Sequence, residues 1–223
     1  YPDVPARAFK DARGQVQLIA SHFRNRRMIG PDLGSVKRDP DCKVILESGN
    51  DKDSSQFNNR EWIHATFISE NTIYALIHNE DIGPGYHYNS VTLAKSIDDG
   101  ITYQHARTPP GHLVASIPYQ RPGAGVAGIF NPSNIIRRIN NCAEDNCEYD
   151  NRYYYALVGA EDTAYRAQQN GRCLIRASNL SDPMSWRAWD GNDFTITFIN
   201  PYENSGSPPQ AHVCPPVDPG DIG

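Results

Sequence analysis

One eight-residue stretch occurs twice in this chain, and the repeat constrains the fold more than any other feature. Residues 74–81 read YALIHNED and residues 155–162 read YALVGAED. After each copy come a polar loop, a strand-like segment that ends in Ser, a turn and an aromatic segment. Another strand-like segment precedes each copy. Four strands per unit, repeated along a chain, predict the blades of a β-propeller.

Strand and turn signals along the rest of the chain favour the same fold. Short β-branched and aromatic runs alternate with turns, and the 223 residues include 17 Gly and 17 Pro but only 2 Met. We predict an all-β fold in which residues 1–223 form one β-propeller domain or part of one. Four-stranded antiparallel blades are expected at about 1–48, 58–106 and 128–190, with a fourth begun at 193–223.

About three and a half blades are therefore visible in this chain. A closed propeller usually has at least four blades, because open sheet edges invite aggregation. We expect a second chain or segment to complete the propeller if it closes.

Charge and composition exclude several classes of partner. The formal net charge is −5 and no block of Lys or Arg dominates, so we expect no nucleic-acid partner. No apolar run reaches 18 residues, so no membrane partner is expected. No cofactor is expected either. The histidines His22, His78 and His87 match no standard metal-ligand spacing, and we predict no metal site.

The cysteines indicate an oxidising compartment. Cys142 and Cys147 flank the polar loop CAEDNC, and we predict that they form a disulfide. A zinc site is less favoured, because no further Cys or His lies nearby at a matching spacing. The total of five leaves at least one cysteine free or paired outside this chain. The expected location is secreted, extracellular or periplasmic.

Two segments resemble known propellers. Residues 96–103, SIDDGITY, fit the Asp box of sialidases and other propellers, in which Ser96, Asp98, Gly100 and Tyr103 would shape a turn between outer strands. IFNPSNIIRR and RYYYALVGAED resemble the blade opening of five-bladed propeller glycosidases of the arabinanase, xylosidase and fructosidase type. The second resemblance implies a five-bladed propeller with a central sugar pocket.

In that group, carboxylates on different blades carry out the hydrolysis, one as base or nucleophile and another as acid. By position, Asp3 is the candidate for the first-blade carboxylate. Asn131 stands where the family has Asp, which removes a charge that would tune the pKa of the acid.

Further candidates come from strand periodicity. His78 and Glu80 are two residues apart and share one face of a strand, so we predict that they join Asp3 as catalytic groups. The structural alternative is that His78 serves the blade and that the repeat-equivalent Glu80 and Glu161 secure the following loops. The candidate sugar contacts are Arg7, His22, His64, Asn79, Asn131 and Trp62.

The sequence therefore predicts a secreted, glycoside hydrolase-like protein that acts on a poly- or oligosaccharide in a central pocket. The alternative is a non-catalytic, lectin-like or protein-interaction propeller, which Asn131 favours. An enzyme is expected to hold two carboxylates about 5–9.5 Å apart in one pocket. A lectin is expected to show one similar aromatic and polar pocket per blade.

Overall fold

The computed structural model describes residues 4–20, 22–143, 146–203 and 206–219. Strands make up 45% of the structure and helices 5%, so the predicted all-β class is confirmed. Within the described ranges, no helix is both long enough and apolar enough to cross a lipid bilayer. The short 3₁₀ helices are Ser54–Gln56, Pro183–Ser185 and Pro209–His212.

The first sheet is a four-stranded antiparallel meander in sequence order. Its strands are β1 (Arg7–Lys10), β2 (Val16–Ile19), β3 (Arg27–Gly30) and β4 (Lys37–Arg38). The side chain of Asp11 accepts hydrogen bonds from the backbone N–H groups of Arg13 and Gln15, which closes the β1–β2 hairpin. This sheet lies within the first predicted unit.

The second sheet has eleven strands. They are β5 (Arg60–Ser69), β6 (Thr72–Gly83), β7 (Tyr86–Ser96), β8 (Gln104–His105), β9 (Leu113–Ala115), β10 (Gly125–Phe130), β11 (Ile136–Ala143), β12 (Asn146–Asp162), β13 (Gly171–Ala177), β14 (Arg187–Ala188) and β15 (Ile196–Thr197). The pairs β5–β6, β6–β7 and β7–β8 are antiparallel, as are β11–β12, β12–β13 and β13–β14. Each copy of the repeated sequence lies on the second strand of such a set, on β6 or on β12.

Strand β10 joins the two sets of strands. It runs antiparallel to β12 and parallel to β7, so the sheet order reads β12-β10-β7. The remaining strands pair at the outside, β9 on β7 and β15 on β14. The division of the chain into blades, and their number, stay predictions.

Two apolar clusters hold the sheets together. The larger one includes Leu76, Leu93, Ile129, Ile175 and Trp186, and extends from β5 to β14. The smaller one packs the first sheet against β5 and β6, through Ile19, Ile45, Ile63, Ile77 and Tyr103. Leu76 and Ile77 are adjacent in the chain yet belong to different clusters, because successive side chains of a strand point to opposite faces. Each such side chain contributes roughly 1.5–3 kcal/mol of burial free energy.

Two disulfides are present. The predicted bond between Cys142 and Cys147 links β11 to β12. A second bond, which the sequence did not predict, joins Cys173 on β13 to Cys214 with a Cα–Cα distance of 6.0 Å. Both are consistent with an oxidising compartment. Cys42 forms no disulfide within the described part of the chain.

The turn after β7 is closed by its own side chains. The Ser96 hydroxyl donates to Asp98, and Asp98 accepts from the backbone N–H and the hydroxyl of Thr102. Gly100 has a φ of 79°, a conformation that favours glycine, and Tyr103 is buried below the turn. The identification of this turn as an Asp box stays a prediction.

Candidate functional site

A cavity of about 400 Å³ lies where β6, β7, β10 and β12 come together. Its apolar lining consists of Val4, Trp62, Val126 and Phe130. Its polar lining consists of His78, Glu80, His87, Asn89, Asn131 and Glu161. Four of the sequence-predicted site residues meet here: Trp62, His78, Glu80 and Asn131. This combination of aromatic rings with a few polar groups is typical of ligand sites.

The register of the sheet aligns two carboxylates across this cavity. Glu80 pairs with Asn89, Asn89 pairs with Gly128, and Gly128 pairs with Glu161. Three strand spacings separate the two glutamates, which corresponds to about 14 Å between their Cα atoms. Gly128 adds no side chain to this row, so of the two positions between the glutamates only Asn89 carries one.

Gly128 is required by the close approach of two backbones. Its φ is 149°, and a Cβ atom at this position would lie 2.2 Å from the carbonyl oxygen of Asn89. Only glycine fits such a contact without displacing β10 from β7. The close pairing of β10 with β7 at this position therefore depends on glycine.

The acidic pair that ends each repeat is divided between two tasks. Asp81 and Asp162 are buried, with exposures of 6% and 4%, and they bind the following or neighbouring loops. Asp162 accepts hydrogen bonds from the backbone N–H groups of Tyr165, Ala167 and Gln168. Asp81 accepts from Ser54, Asn59 and Tyr86. The preceding Glu80 and Glu161 line the cavity instead, so the loop-securing role that the structural alternative assigned to these glutamates is carried by the aspartates that follow them.

Glu80 lies between two histidines. Its Oε1 atom is 3.5 Å from His87 Nε2 and 3.8 Å from His78 Nε2. Burial alone would raise the pKa of Glu80, but the His87 side chain, together with the electrostatic contributions of His78, His87 and Arg60, holds it below its usual value. Glu80 is therefore ionised at neutral pH. An ionised carboxylate can act as a base or nucleophile and can bind sugar hydroxyls, but it cannot donate a proton.

His78 is held by neighbours on three sides. Its Nε2 atom hydrogen bonds to Asn89 Oδ1 at 3.0 Å, and its ring centroid lies 5.8 Å from that of Trp62 and 6.2 Å from that of Phe130. Burial lowers the pKa of His78, and the contributions of Glu80 and Asn89 counter it only in part. The ring is therefore neutral at neutral pH. With its proton on Nε2, the Nδ1 atom is an acceptor.

Two predicted sugar contacts lie behind the cavity wall rather than on it. His64 is buried and donates from Nδ1 to the Pro132 carbonyl at 2.6 Å. Burial, followed by the nearby His78 and Arg7, lowers the pKa of His64 to about 4. Arg7 donates from Nε to the His64 carbonyl at 2.6 Å. Both residues support the wall, since His64 also contacts the ring of His78 at 6.2 Å.

The other predicted contacts lie elsewhere. Asn79 donates to the Arg60 carbonyl and accepts from Ser90, on the face of β6 opposite to His78 and Glu80. His22 is exposed beside Phe23, away from the cavity lining. Asp3 lies outside the described residues.

Sequence analysis did not select Asn89 as a site residue. A usable signal exists, because the hairpin β6–β7 turns through Pro84 and Gly85 and pairs Gly83 with Tyr86. Counting back from such a two-residue loop places Asn89 opposite Glu80. The position of Val126 depends on the parallel pairing of β10 with β7, for which the sequence has no local signal.

Comparisons with known proteins give a likeness in fold. No protein-family model matches the sequence, and no curated protein matches it. Among solved structures, the chain is similar to an endo-1,4-beta-xylanase from Bacteroides thetaiotaomicron VPI-5482, with a TM-score of 0.53 and 13% identity. The match covers 86% of this chain and 54% of that chain, so this chain spans about half the length of the xylanase.

Two weaker matches are also to glycoside hydrolases. One is a thermostable family-43 glycoside hydrolase, at a TM-score of 0.36 and 12% identity, over 86% of this chain and 73% of that chain. The other is an exo-1,5-alpha-L-arabinanase from a bovine ruminal metagenomic library, with a TM-score of 0.31 and 13% identity. That match covers 86% of this chain and 78% of the arabinanase. Their TM-scores are too low to support an argument, so the comparison rests on the xylanase.

The chain has a glycoside hydrolase-like fold. The predicted fold class, an all-β propeller type built of antiparallel sheets, is thereby confirmed. At 13% identity the likeness concerns the fold alone.

Proposed function

We propose that this chain is a secreted carbohydrate-active protein and that the cavity between β6 and β12 binds a poly- or oligosaccharide. One observation carries the proposal: an ionised Glu80, a second carboxylate on Glu161 and the rings of Trp62 and Phe130 line the same cavity. Carboxylates and amides bind sugar hydroxyls, and aromatic rings pack against the apolar faces of sugar rings. The two disulfides support secretion to an extracellular or periplasmic location.

We propose glycoside hydrolysis as the activity. Glu80 is the base, because its pKa is lowered, and Glu161 is the candidate acid on the opposite wall. By the spacing of the strands, their Cα atoms lie about 14 Å apart. A distance of about 6.5–9.5 Å between the two carboxyl groups would leave space for a water molecule and favour inversion over retention. Asp3 remains a candidate for a third carboxylate, and the next residue along the chain, Val4, lines the cavity.

The second candidate function is binding without hydrolysis. Asn131 lies on the cavity wall, where the resemblance to five-bladed glycosidases leads us to expect Asp. Without the negative charge of an Asp at this position, the pKa of a catalytic acid in the cavity would be raised less. A lectin-like site that binds sugars without hydrolysis is therefore the alternative. The fivefold propeller also remains a proposal, and a second chain or segment would have to supply its remaining blades.

The two functions are separated by one experiment on a panel of soluble polysaccharides that includes xylan and arabinan. Binding is measured by calorimetry and hydrolysis by release of reducing ends, for the wild type and for Glu80→Gln, Glu161→Gln and Asp3→Asn. Glu148→Gln is the matched control, because Glu148 is an exposed glutamate on the same strand as Glu161.

An enzyme releases sugars, and Glu80→Gln lowers kcat/KM by about 10²–10⁴-fold while Glu148→Gln does not. A lectin binds a polysaccharide without releasing sugars. If no polysaccharide of the panel is bound or hydrolysed, both functions are rejected. Equal hydrolysis by the wild type and both cavity variants would reject Glu80 and Glu161 as the catalytic pair.

A further inference from the structure

Three side chains with metal-binding atoms meet at a second place in the fold, away from the cavity. They are Glu61 on β5, His105 on β8 and His112 just before β9. One carboxylate oxygen and one ring nitrogen from each histidine all lie within 4.8 Å of one another. None of the three lines the sugar cavity. The three residues come from separate segments that only the folded sheet brings together.

The carboxylate of this cluster is buried without a matching fixed charge. Glu61 has an exposure of 0%. Its Oε1 atom is 2.8 Å from His105 Nε2, whereas its Oε2 atom has no hydrogen-bond partner among the described residues. Among the described residues, no Lys or Arg forms an ion pair with Glu61. Burial of a carboxylate costs several kcal/mol unless a positive charge or hydrogen bonds compensate it.

The imidazole ring of His112 is buried and both of its nitrogen atoms lack hydrogen-bond partners among the described residues. Its exposure is 0%, and its ring centroid lies 4.4 Å from that of His105. A buried imidazole nitrogen without a hydrogen-bond partner can serve as a metal ligand when it is unprotonated.

We propose that Glu61, His105 and His112 bind a divalent transition-metal ion, with Zn²⁺ as the probe. Two imidazole nitrogens and one carboxylate oxygen form a donor set that suits Zn²⁺. The dication supplies the positive charge that the buried carboxylate lacks and a partner for the His112 ring. Around a tetrahedral Zn²⁺ with bonds of about 2.1 Å, ligand atoms lie about 3.4 Å apart. The three atoms lie within 4.8 Å of one another in this structure, so some of these distances would have to change on binding.

The proposed metal site is more deeply buried than the sugar cavity, which suits a structural rather than a catalytic ion. Glu61 and His112 are fully buried, and the side chain of His105, with 18% exposure, is the part of the cluster open to solvent. A water molecule can complete the coordination on that side. The ion would tie β5 to the segment 104–115, which packs against β7. We therefore assign it a structural role.

The test uses the full chain after treatment with a chelator that removes bound metal. Calorimetry then measures the binding of Zn²⁺. The wild type is expected to bind one equivalent and to melt at a higher temperature with Zn²⁺ than with chelator. The isosteric Glu61→Gln and the variant His112→Gln are each expected to weaken binding by about 100-fold. His22→Gln is the matched control, because His22 is an exposed histidine outside the cluster, and its Zn²⁺ affinity should equal that of the wild type.

A second measurement keeps the test decisive if a variant does not fold. X-ray absorption of the Zn²⁺-loaded wild type reports the ligands directly. Two imidazoles with oxygen donors support the site. Fewer than two imidazoles, or a sulfur ligand from Cys42, overturn it. Failure of the wild type to bind one equivalent overturns it too, as does unchanged affinity in folded Glu61→Gln and His112→Gln proteins.

Discussion

The Nε2 atom of His87 lies 3.5 Å from the Oε1 atom of Glu80, across the hairpin of β6 and β7. In the register of this hairpin Glu80 is opposite Asn89, and His87 is opposite Ile82. The histidine and the glutamate are thus diagonal neighbours on one face, a spacing that long side chains can cross. This contact helps to keep Glu80 ionised inside a partly closed cavity.

Replacement of His87 by Ala is expected to raise the pKa of Glu80. Burial of the carboxyl would then be opposed only by the weaker contributions of His78 and Arg60. The pKa is measured by NMR titration of glutamate side-chain carboxyl carbons, with Glu80→Gln used to assign the signal. His22→Ala is the control and should leave this pKa unchanged. If His87→Ala lowers the pKa or leaves it unaltered, the contact does not hold the charge on Glu80.

The buried His64 is expected to make the fold less stable in acid. Its pKa is about 4 in the folded chain, against about 6.5 in an unfolded one, so between these values only the unfolded chain binds the proton. Stability should therefore decrease as the pH falls from about 6.5 to about 4, by about 3 kcal/mol from this group. Urea unfolding at intervals of pH measures the loss.

His64→Gln does not titrate and should flatten this part of the stability curve. The comparison with His22→Gln, at an exposed site, removes the general effect of losing a histidine. A variant curve parallel to that of the wild type would mean that another group causes the acid sensitivity.

The two disulfides are expected to differ in their contribution to stability. The bond Cys173–Cys214 closes a loop with a sequence separation of 41, and Cys142–Cys147 one with a separation of 5. In the chain-entropy model, the long loop is worth about 4 kcal/mol and the short loop about 2 kcal/mol. Guanidinium unfolding of the two Cys-to-Ser double variants compares them. A larger loss for the Cys142→Ser/Cys147→Ser protein would contradict this order.

Gly128→Ala is expected to destabilise the fold by about 3 kcal/mol, because the added methyl group meets the backbone of Asn89 and the φ of 149° disfavours alanine. The displacement of β10 should also weaken polysaccharide binding in the cavity. Gly123→Ala is the matched control, since no atom lies within 4 Å of a Cβ atom at that position. Thermal unfolding of both variants measures the effect. Equal melting temperatures would show that β10 and β7 can separate at little cost.

Much of the fold follows from local signals in the sequence. The repeated octapeptide predicted two equivalent strands, and β6 and β12 each bury the alanine of the repeat and carry its acid pair at the strand end. The link between the two sets of strands did not follow. The parallel pairing of β10 with β7, and the bond between Cys173 and Cys214, join segments far apart in the chain, and no local periodicity encodes them.

The site was predicted where a strand is regular and missed where it is not. His78 and Glu80 follow the two-residue period of β6, and both line the cavity. His64 has the same relation to Trp62, yet it is absent from the cavity lining. The register shifts between Ile63 and Ala65, so His64 sits in a bulge that turns its ring to the Pro132 carbonyl. Glu61, His105 and His112 come from three separate segments, so no local pattern in the sequence brings them together.

The short strand β10 has a consequence for any ligand that bridges both walls of the cavity. Glu80 and Glu161 belong to different sets of strands, and in the order of the sheet the strand between those sets is Gly125–Phe130. A molecule bound by both glutamates would therefore cross over this strand. The amide protons of Gly125–Phe130 would then exchange more slowly with solvent when the ligand is bound. Hydrogen exchange in this strand would thus detect binding in the cavity whether or not the ligand is hydrolysed.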